Sequence, residues 1–263
     1  MVLNVKPKKF LGQHFLTDLS IASRIADTVD ACPAIPVLEV GPGMGVLTQY
    51  LLKKDREFKV VEIDYDSVPY LREHFAELGD NIIEGDFLQM DLHAVFGGRP
   101  FVLTGNYPYN ISSQIFFKMV ENRDLIPCCT GMIQKEVAER MAAAPGSKVY
   151  GVLSVLIQAW YDVEYLFTVS ETVFNPPPKV KSAVIRLTRN GKSTLGCDEQ
   201  LFRRIVKTVF TMRRKMMRNG MKQILGKESP MLADPIFTKR PEQLSVQDYI
   251  DLTNRVEAAL RNI

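Results

Sequence analysis

The sequence is poor in the residues that build metal centres and disulfide frameworks. Its three histidines are scattered, and its four cysteines (Cys32, Cys128, Cys129 and Cys197) show no paired metal spacing. No metal is therefore expected, and reduced thiols in a cytoplasm are the simplest account of the cysteines. No apolar run approaches the ~18–20 residues that cross a bilayer. The longest such stretch, Tyr150 to Tyr161, reads as a buried helix. The N-terminus carries Lys6, Lys8 and Lys9 but no apolar segment or small-residue cleavage site, so no secretory signal is expected. No Gly-Lys-Ser/Thr follows the glycine-rich loop at residues 41–45, which disfavours triphosphate binding. Aspartate and glutamate are absent from Leu201 to Gly226.

What is present fits a soluble globular protein. At 263 residues and 46% hydrophobic, the chain is long enough for a full core and could hold one large domain or a domain with an appendage. A net charge of +3 says little about partners, but its distribution says more. Arg203, Arg204, Lys207, Arg213, Arg214, Lys215, Arg218 and Lys222 fall within twenty residues, inside the acid-free segment. Such clustering is a phosphate-binding footprint or, more blandly, a solvated face.

The pattern along the chain alternates. A basic arm, 1–17, precedes a helix over 18–29. Strands are expected at 36–40, 58–63, 81–84 and 101–104, with helices at 46–54 and 67–78 between them. That alternation predicts an α/β fold with a parallel sheet covered on both faces. Residues 131–141 and 151–163 read as helix or strand-helix material, 180–188 as a late strand, and 199–225 and 246–259 as helices. A polar linker, Asn190 to Thr194, sets the expected boundary near residue 192. The first domain would span 1–192 and a small all-helical domain 193–263.

Residues with chemical potential gather at the strand ends. Gly41, Gly43 and Gly45 follow the first strand of the sheet, behind Glu39, where glycine lets the backbone turn sharply and approach a ligand. Glu62 ends the next strand, suited to two ribose hydroxyls. Asp86 and Phe87 follow the third, suited to an adenine amino group and ring. Asn106-Tyr107-Pro108-Tyr109 follows the fourth. There, the Asn106 amide oxygen and the Tyr107 carbonyl can accept both hydrogens of an exocyclic amine, while Tyr109 stacks on its ring. Taken alone, that stretch reads equally well as a strand followed by an Asn-Pro-type turn.

In this order, the motifs resemble the layout of S-adenosylmethionine-dependent methyltransferases that modify nucleobase amino groups. The resemblance narrows to the KsgA/Dim family of small-subunit rRNA adenine dimethyltransferases, of the bacterial type. It rests on Phe10-Leu11-Gly12-Gln13-His14-Phe15-Leu16, on the segment Val173 to Val184 with its three prolines, and on Phe210 to Asn219. It implies a Rossmann-like methyltransferase sheet with a small C-terminal all-helical domain, S-adenosyl-L-methionine as cofactor, and dimethylation of N6 on two adjacent adenosines near the 3′ end of small-subunit rRNA. By resemblance, His14, Leu16 and Asn106 join Glu39, Gly41, Gly43, Gly45, Glu62, Asp86 and Phe87 as cofactor residues, and Phe174 closes the far side of the target base. Lys8, Lys9, Lys179, Arg203, Lys207, Arg213, Arg214, Lys215 and Arg218 would hold RNA. Arg203, Lys207, Arg214 and Arg218 are expected close to one stripe of a continuous helix. Two residues depart from the family pattern: His14 replaces a usual asparagine and Tyr107 a usual leucine.

The expected setting is a cytoplasmic monomer acting on rRNA within an immature 30S-type particle, with a role in subunit biogenesis. Competing readings are a large-subunit rRNA methyltransferase of the macrolide-resistance type, a DNA adenine methyltransferase, and an assembly factor with dispensable catalysis. The sister large-subunit family generally lacks the triple-proline segment and the Arg-Arg-Lys-x-x-Arg-Asn pattern.

Overall fold

A computed structural model describes residues 7–261. Lys6 lies outside the described residues, as does the side chain of Lys9. The strands are β1 (Phe15–Leu16), β2 (Val37–Val40), β3 (Phe58–Glu62), β4 (Ile82–Glu84), β5 (Val102–Thr104), β6 (Cys128–Gln134), β7 (Tyr161–Val169), β8 (Phe174–Asn175) and β9 (Ser182–Arg189). The α-helices are α1 (Leu19–Asp27), α2 (Thr48–Leu51), α3 (Ser67–His74), α4 (Leu92–Val95), α5 (Ser112–Glu121), α6 (Lys135–Ala142), α7 (Val152–Gln158), α8 (Glu199–Thr211), α9 (Met217–Leu225) and α10 (Val246–Arg261).

The chain divides into two compact units, Met1–Ala138 with Asp162–Arg189, and Glu139–Tyr161 with Asn190–Ile263. The chain passes between these units three times, and the boundary expected near 192 lies close to the third passage, between Arg189 and Asn190. Residues 139–161, read from sequence as part of the first domain, group with the C-terminal helices.

The first unit is built on a seven-stranded sheet in the order β4-β3-β2-β5-β6-β9-β7. Strands β2 to β6 pair in parallel, and β9 runs antiparallel to β6. Strand β2 is buried at all four positions, as a central parallel strand covered on both faces must be. It pairs with β3 on one side and β5 on the other, so the chain reverses its direction of sheet growth there. Open α/β sheets bind ligands at such a switch point, beyond the carboxyl ends of the strands. Glycine permits a close approach there: a Cβ on Gly105, just past β5, would stand 2.6 Å from the Val40 carbonyl oxygen.

Helix α1 starts where the Asp18 carboxylate accepts from the Ser20 and Ile21 amides. It buries Ala22, Ile25 and Ala26 in a core shared with Val37, Val60, Val102 and Val184. Cys32 and Cys128 form a disulfide across this core, so the expectation that all four cysteines are reduced thiols is corrected; Cys129 and Cys197 are free. The two half-cystines are 96 residues apart and meet only because α1 and β6 pack together.

In the second unit the single helix expected over 199–225 is two. Helix α8 ends at Thr211, and α9 begins after Met216. They pack tightly, because a Cβ on Gly220 would lie 2.9 Å from Val209 Cα. The turn between them is needed for that packing. It carries Arg213, Arg214 and Lys215, three successive cations with no nearby acid in sequence. No helix of the described residues is long and apolar enough to cross a membrane.

Candidate active site

At the switch point the described residues form a cavity of about 300 Å³. Its walls come from the arm at 10–16, the glycine loop, the ends of β3 and β4, and residues 106–111. All three of the loop's glycines have left-handed φ values: Gly41 +68°, Gly43 +55° and Gly45 +74°. A Cβ on Gly45 would come 2.2 Å from the Phe75 ring, and one on Gly43 would come 3.3 Å from Phe15. The loop therefore requires glycine for both its turn and its clearance.

Glu62 braces this loop from β3. Its Oε2 accepts the Gly43 amide at 2.9 Å and its Oε1 accepts the Asp64 amide at 2.8 Å, leaving each oxygen a further lone pair. The side chain is buried, which raises its pKa against the opposing pull of those amides. Glu39, in β2, is 1% exposed, and burial pushes its pKa up to about 8 with Glu62 adding to the rise. Thr48 Oγ1 donates to Glu39 Oε2 at 2.7 Å. Asp86 lines the cavity after β4, with Oδ1 accepting the Leu88 amide at 2.8 Å, and buried Phe87 lines it too.

The Asn106 to Tyr109 segment faces the glycine loop, since a Cβ on Gly41 would touch the Pro108 ring at 3.8 Å. The segment is held by backbone pairing with β6, where the Tyr107 amide donates to the Met132 carbonyl at 2.9 Å. The Tyr107 ring is fully buried, edge-on to Phe116, and its hydroxyl donates to the Thr130 carbonyl at 3.1 Å. Only its backbone is left for a substrate. Asn106 Nδ2 donates to the His14 carbonyl at 3.3 Å, leaving Oδ1 as the acceptor. The Tyr109 hydroxyl bonds to Ser182 at the start of β9, and the His14 ring lies 5.3 Å from the Tyr109 ring. His14 Nδ1 bonds to the Pro176 carbonyl at 2.8 Å, which makes it the protonated ring nitrogen.

His14, Leu16, Glu39, Gly41, Gly43, Glu62, Asp86, Phe87, Asn106, Tyr107, Pro108 and Tyr109 thus meet at one cavity. Gly45 supports the loop from behind. Phe174 is not among the lining residues: it is buried beside Leu16 in the β1–β8 ladder, so its ring supports the arm.

The expected RNA residues fare unevenly. Lys8 Nζ bonds to Asp64 at 2.5 Å and Asp66 at 2.7 Å and lies 3.7 Å over the Tyr65 ring, so its charge is spent within the protein. Gln13 joins it on Asp64 at 2.8 Å. Arg213 donates to the Ser147 and Lys148 carbonyls. Lys179, Lys207, Arg214 and Lys215 are exposed, whereas Arg203 and Arg218 are half-buried. The break between α8 and α9 overturns the continuous stripe: Arg203 and Lys207 sit on α8, Arg214 in the turn, and Arg218 on α9. Sequence reading missed Asp64, Asn110 and Ser182. Asn110 Nδ2 donates to the Phe10 carbonyl at 3.1 Å, and none of these contacts has a local signal.

Comparison with known proteins places the chain in a family. The family model for ribosomal RNA adenine dimethylase matches residues 4–257. A ribosomal RNA small subunit methyltransferase A from Phocaeicola vulgatus is 73% identical over 98% of this chain and 92% of its own length. That of Bacteroides thetaiotaomicron is 73% identical over 98% of this chain and 96% of its own. Among solved structures, a dimethyladenosine transferase from Plasmodium falciparum superposes with a TM-score of 0.77 at 26% identity, covering 94% of this chain and 98% of that one. The 23S rRNA methyltransferase ErmE follows with a TM-score of 0.64 at 27% identity, covering 91% and 99%. The chain belongs to the ribosomal RNA adenine dimethylase family.

Proposed function

We propose that the protein dimethylates N6 of two adjacent adenosines near the 3′ end of small-subunit rRNA, using S-adenosyl-L-methionine. The observation that carries this reading is Asn106, whose amide oxygen is left as an acceptor at a strand end facing the glycine loop. The cavity fits the cofactor: a glycine cradle in left-handed conformation that is crowded at Gly43 and Gly45, an embedded carboxylate at Glu62 and a second at Asp86. When bound, S-adenosylmethionine supplies an electrophilic methyl group on a sulfonium with a neutral leaving group.

The remaining work is positioning. An adenine amino nitrogen shares its lone pair with the ring and is a poor nucleophile. The Asn106 oxygen and Tyr107 carbonyl accept its hydrogens and stabilise positive charge as it grows on nitrogen. Tyr109 stacks on the base, which must leave any stack to enter. The methylated nitrogen is acidic enough to release its proton without a strong base. After the first transfer one hydrogen remains for the two acceptors, so the monomethylated base turns in the pocket before the second.

The exposed cations of the helical unit and Lys179 hold the RNA, within an immature small-subunit particle in the cytoplasm, with the enzyme acting as a monomer. The large-subunit alternative is disfavoured by the 73% identity to small-subunit enzymes against 27% to ErmE. Purified protein, donor and immature small subunits should yield N6,N6-dimethyladenosine at two neighbouring positions by nucleoside mass spectrometry. A product that stops at monomethyladenosine overturns the dimethylation reading, and methylation of large-subunit rRNA alone overturns the substrate.

A further inference from the structure

Lys118 is a half-buried cation on α5, and its ammonium group is spent on the backbone of another element. It donates to the Leu88 carbonyl at 3.0 Å and to the Met90 carbonyl at 2.6 Å, and lies 5.7 Å from the Phe87 ring centroid. Both carbonyls belong to the loop that leaves β4 with Asp86. Within that loop, Asp86 Oδ1 accepts the Leu88 amide, and the Asp86 carbonyl accepts the Gln89 and Met90 amides at 3.0 and 3.1 Å. The turn is closed around Asp86 from inside and pinned by Lys118 from outside. Asp86, Glu121 and Asp91 act electrostatically on Lys118, opposing the effect of its burial.

We propose that Lys118 is a positioning residue that sets the direction of the Asp86 carboxylate and thereby the cofactor site's preference for a purine with a 6-amino group over one with a 6-oxo group. This rests on the cofactor reading above. With Oδ1 held by the Leu88 amide, Oδ2 is the oxygen that takes an amino hydrogen, and a 6-oxo group in its place meets the carboxylate lone pair to lone pair. Selectivity therefore depends on the loop keeping Oδ2 in place. Lys118 is the side chain that ties this loop to the helix following Asn106–Tyr109, so one helix serves both ends of the cavity.

Calorimetry on the full chain should compare S-adenosylhomocysteine with S-inosylhomocysteine, in which a 6-oxo group replaces the 6-amino group. The unaltered protein should prefer the adenosyl compound by at least about tenfold. Lys118→Met should lose most of that ratio, mainly through about tenfold weaker adenosyl binding, and Lys118→Arg should restore it. A general loss of structure would weaken both ligands together and leave the ratio alone. A folded Lys118→Met that keeps the full ratio overturns the proposal. If that variant lacks a cooperative melt, Lys118→Gln, too short to reach both the Leu88 and Met90 carbonyls, should likewise lose most of the ratio, and a full ratio there overturns the proposal. Equal binding of both compounds by the unaltered protein overturns the role of Asp86 and the proposal with it. Binding of neither compound overturns the cofactor reading itself.

Discussion

The Asn106 side chain donates to the backbone carbonyl of His14, and this one contact decides which end of the amide faces a substrate. Because the partner is a main-chain oxygen, the histidine that departs from the family pattern keeps the orientation that an asparagine there would give. The His14 ring instead reaches the Pro176 carbonyl and packs beside Tyr109.

Asn106→Ala should lower the methylation rate by about 10²–10³, the usual cost of removing one preorganised group that stabilises developing charge. Binding of S-adenosylhomocysteine should change far less, and His14→Asn should retain activity. Single-turnover methylation beside calorimetry tests this; equal loss in both assays would make Asn106 a cofactor ligand instead.

Glu39 gives the protein a pH-dependent stability. Its pKa is raised from the ordinary 4.5 to about 8 in the folded state, so between those values the native form binds a proton that the unfolded chain lacks. Stability is then lost as pH rises through that window, by an amount on the order of a few kcal/mol. Glu39→Gln, which cannot ionise, should flatten the decline. Denaturant midpoints from pH 5 to 9 measure it, and a slope unchanged by the substitution would place the titrating group elsewhere, with Glu62, whose pKa is also raised, as the next choice.

Arg214→Glu with Lys215→Glu should sharply reduce methylation of immature subunits at moderate salt and leave cofactor affinity intact. Both side chains are exposed, in the turn between α8 and α9. Each lost phosphate contact should flatten the salt dependence of RNA binding by about one unit of logarithmic slope. Activity equal to that of the unaltered protein at every salt concentration would make the turn a solvated face.

The central strands were legible because parallel strands buried on both faces read as unbroken apolar runs ending in Gly, Glu, Asp or Asn. Strand β7 was not. It was read partly as helix, because Asp162, Glu164 and Thr168 interrupt it, and all three are exposed at the edge of the sheet. The break between α8 and α9 left no mark either, since no proline or glycine stands in residues 212–216 and buried apolar residues continue on both sides. Lys8 pairs with Asp64 across 56 residues and Cys32 with Cys128 across 96. Such partners are set by the fold as a whole, and a local pattern cannot name them.

The arm at 8–14 crosses the mouth of the cavity like a seat belt with two buckles. Lys8 and Gln13 fasten it to Asp64 on one side, and the Phe10 carbonyl fastens it to Asn110 on the other. A site that makes several methyl transfers has to discharge a spent donor and admit a fresh one each time. The Asn110 buckle is a single exposed hydrogen bond beside a Phe10 ring that is 74% exposed, whereas the Asp64 buckle is buried at its carboxylate, so the belt opens most readily from the Phe10 end. Turnover and affinity are therefore separable here. Asn110→Ala, which removes the exposed buckle, should speed product release in stopped-flow measurements more than it alters the chemical step.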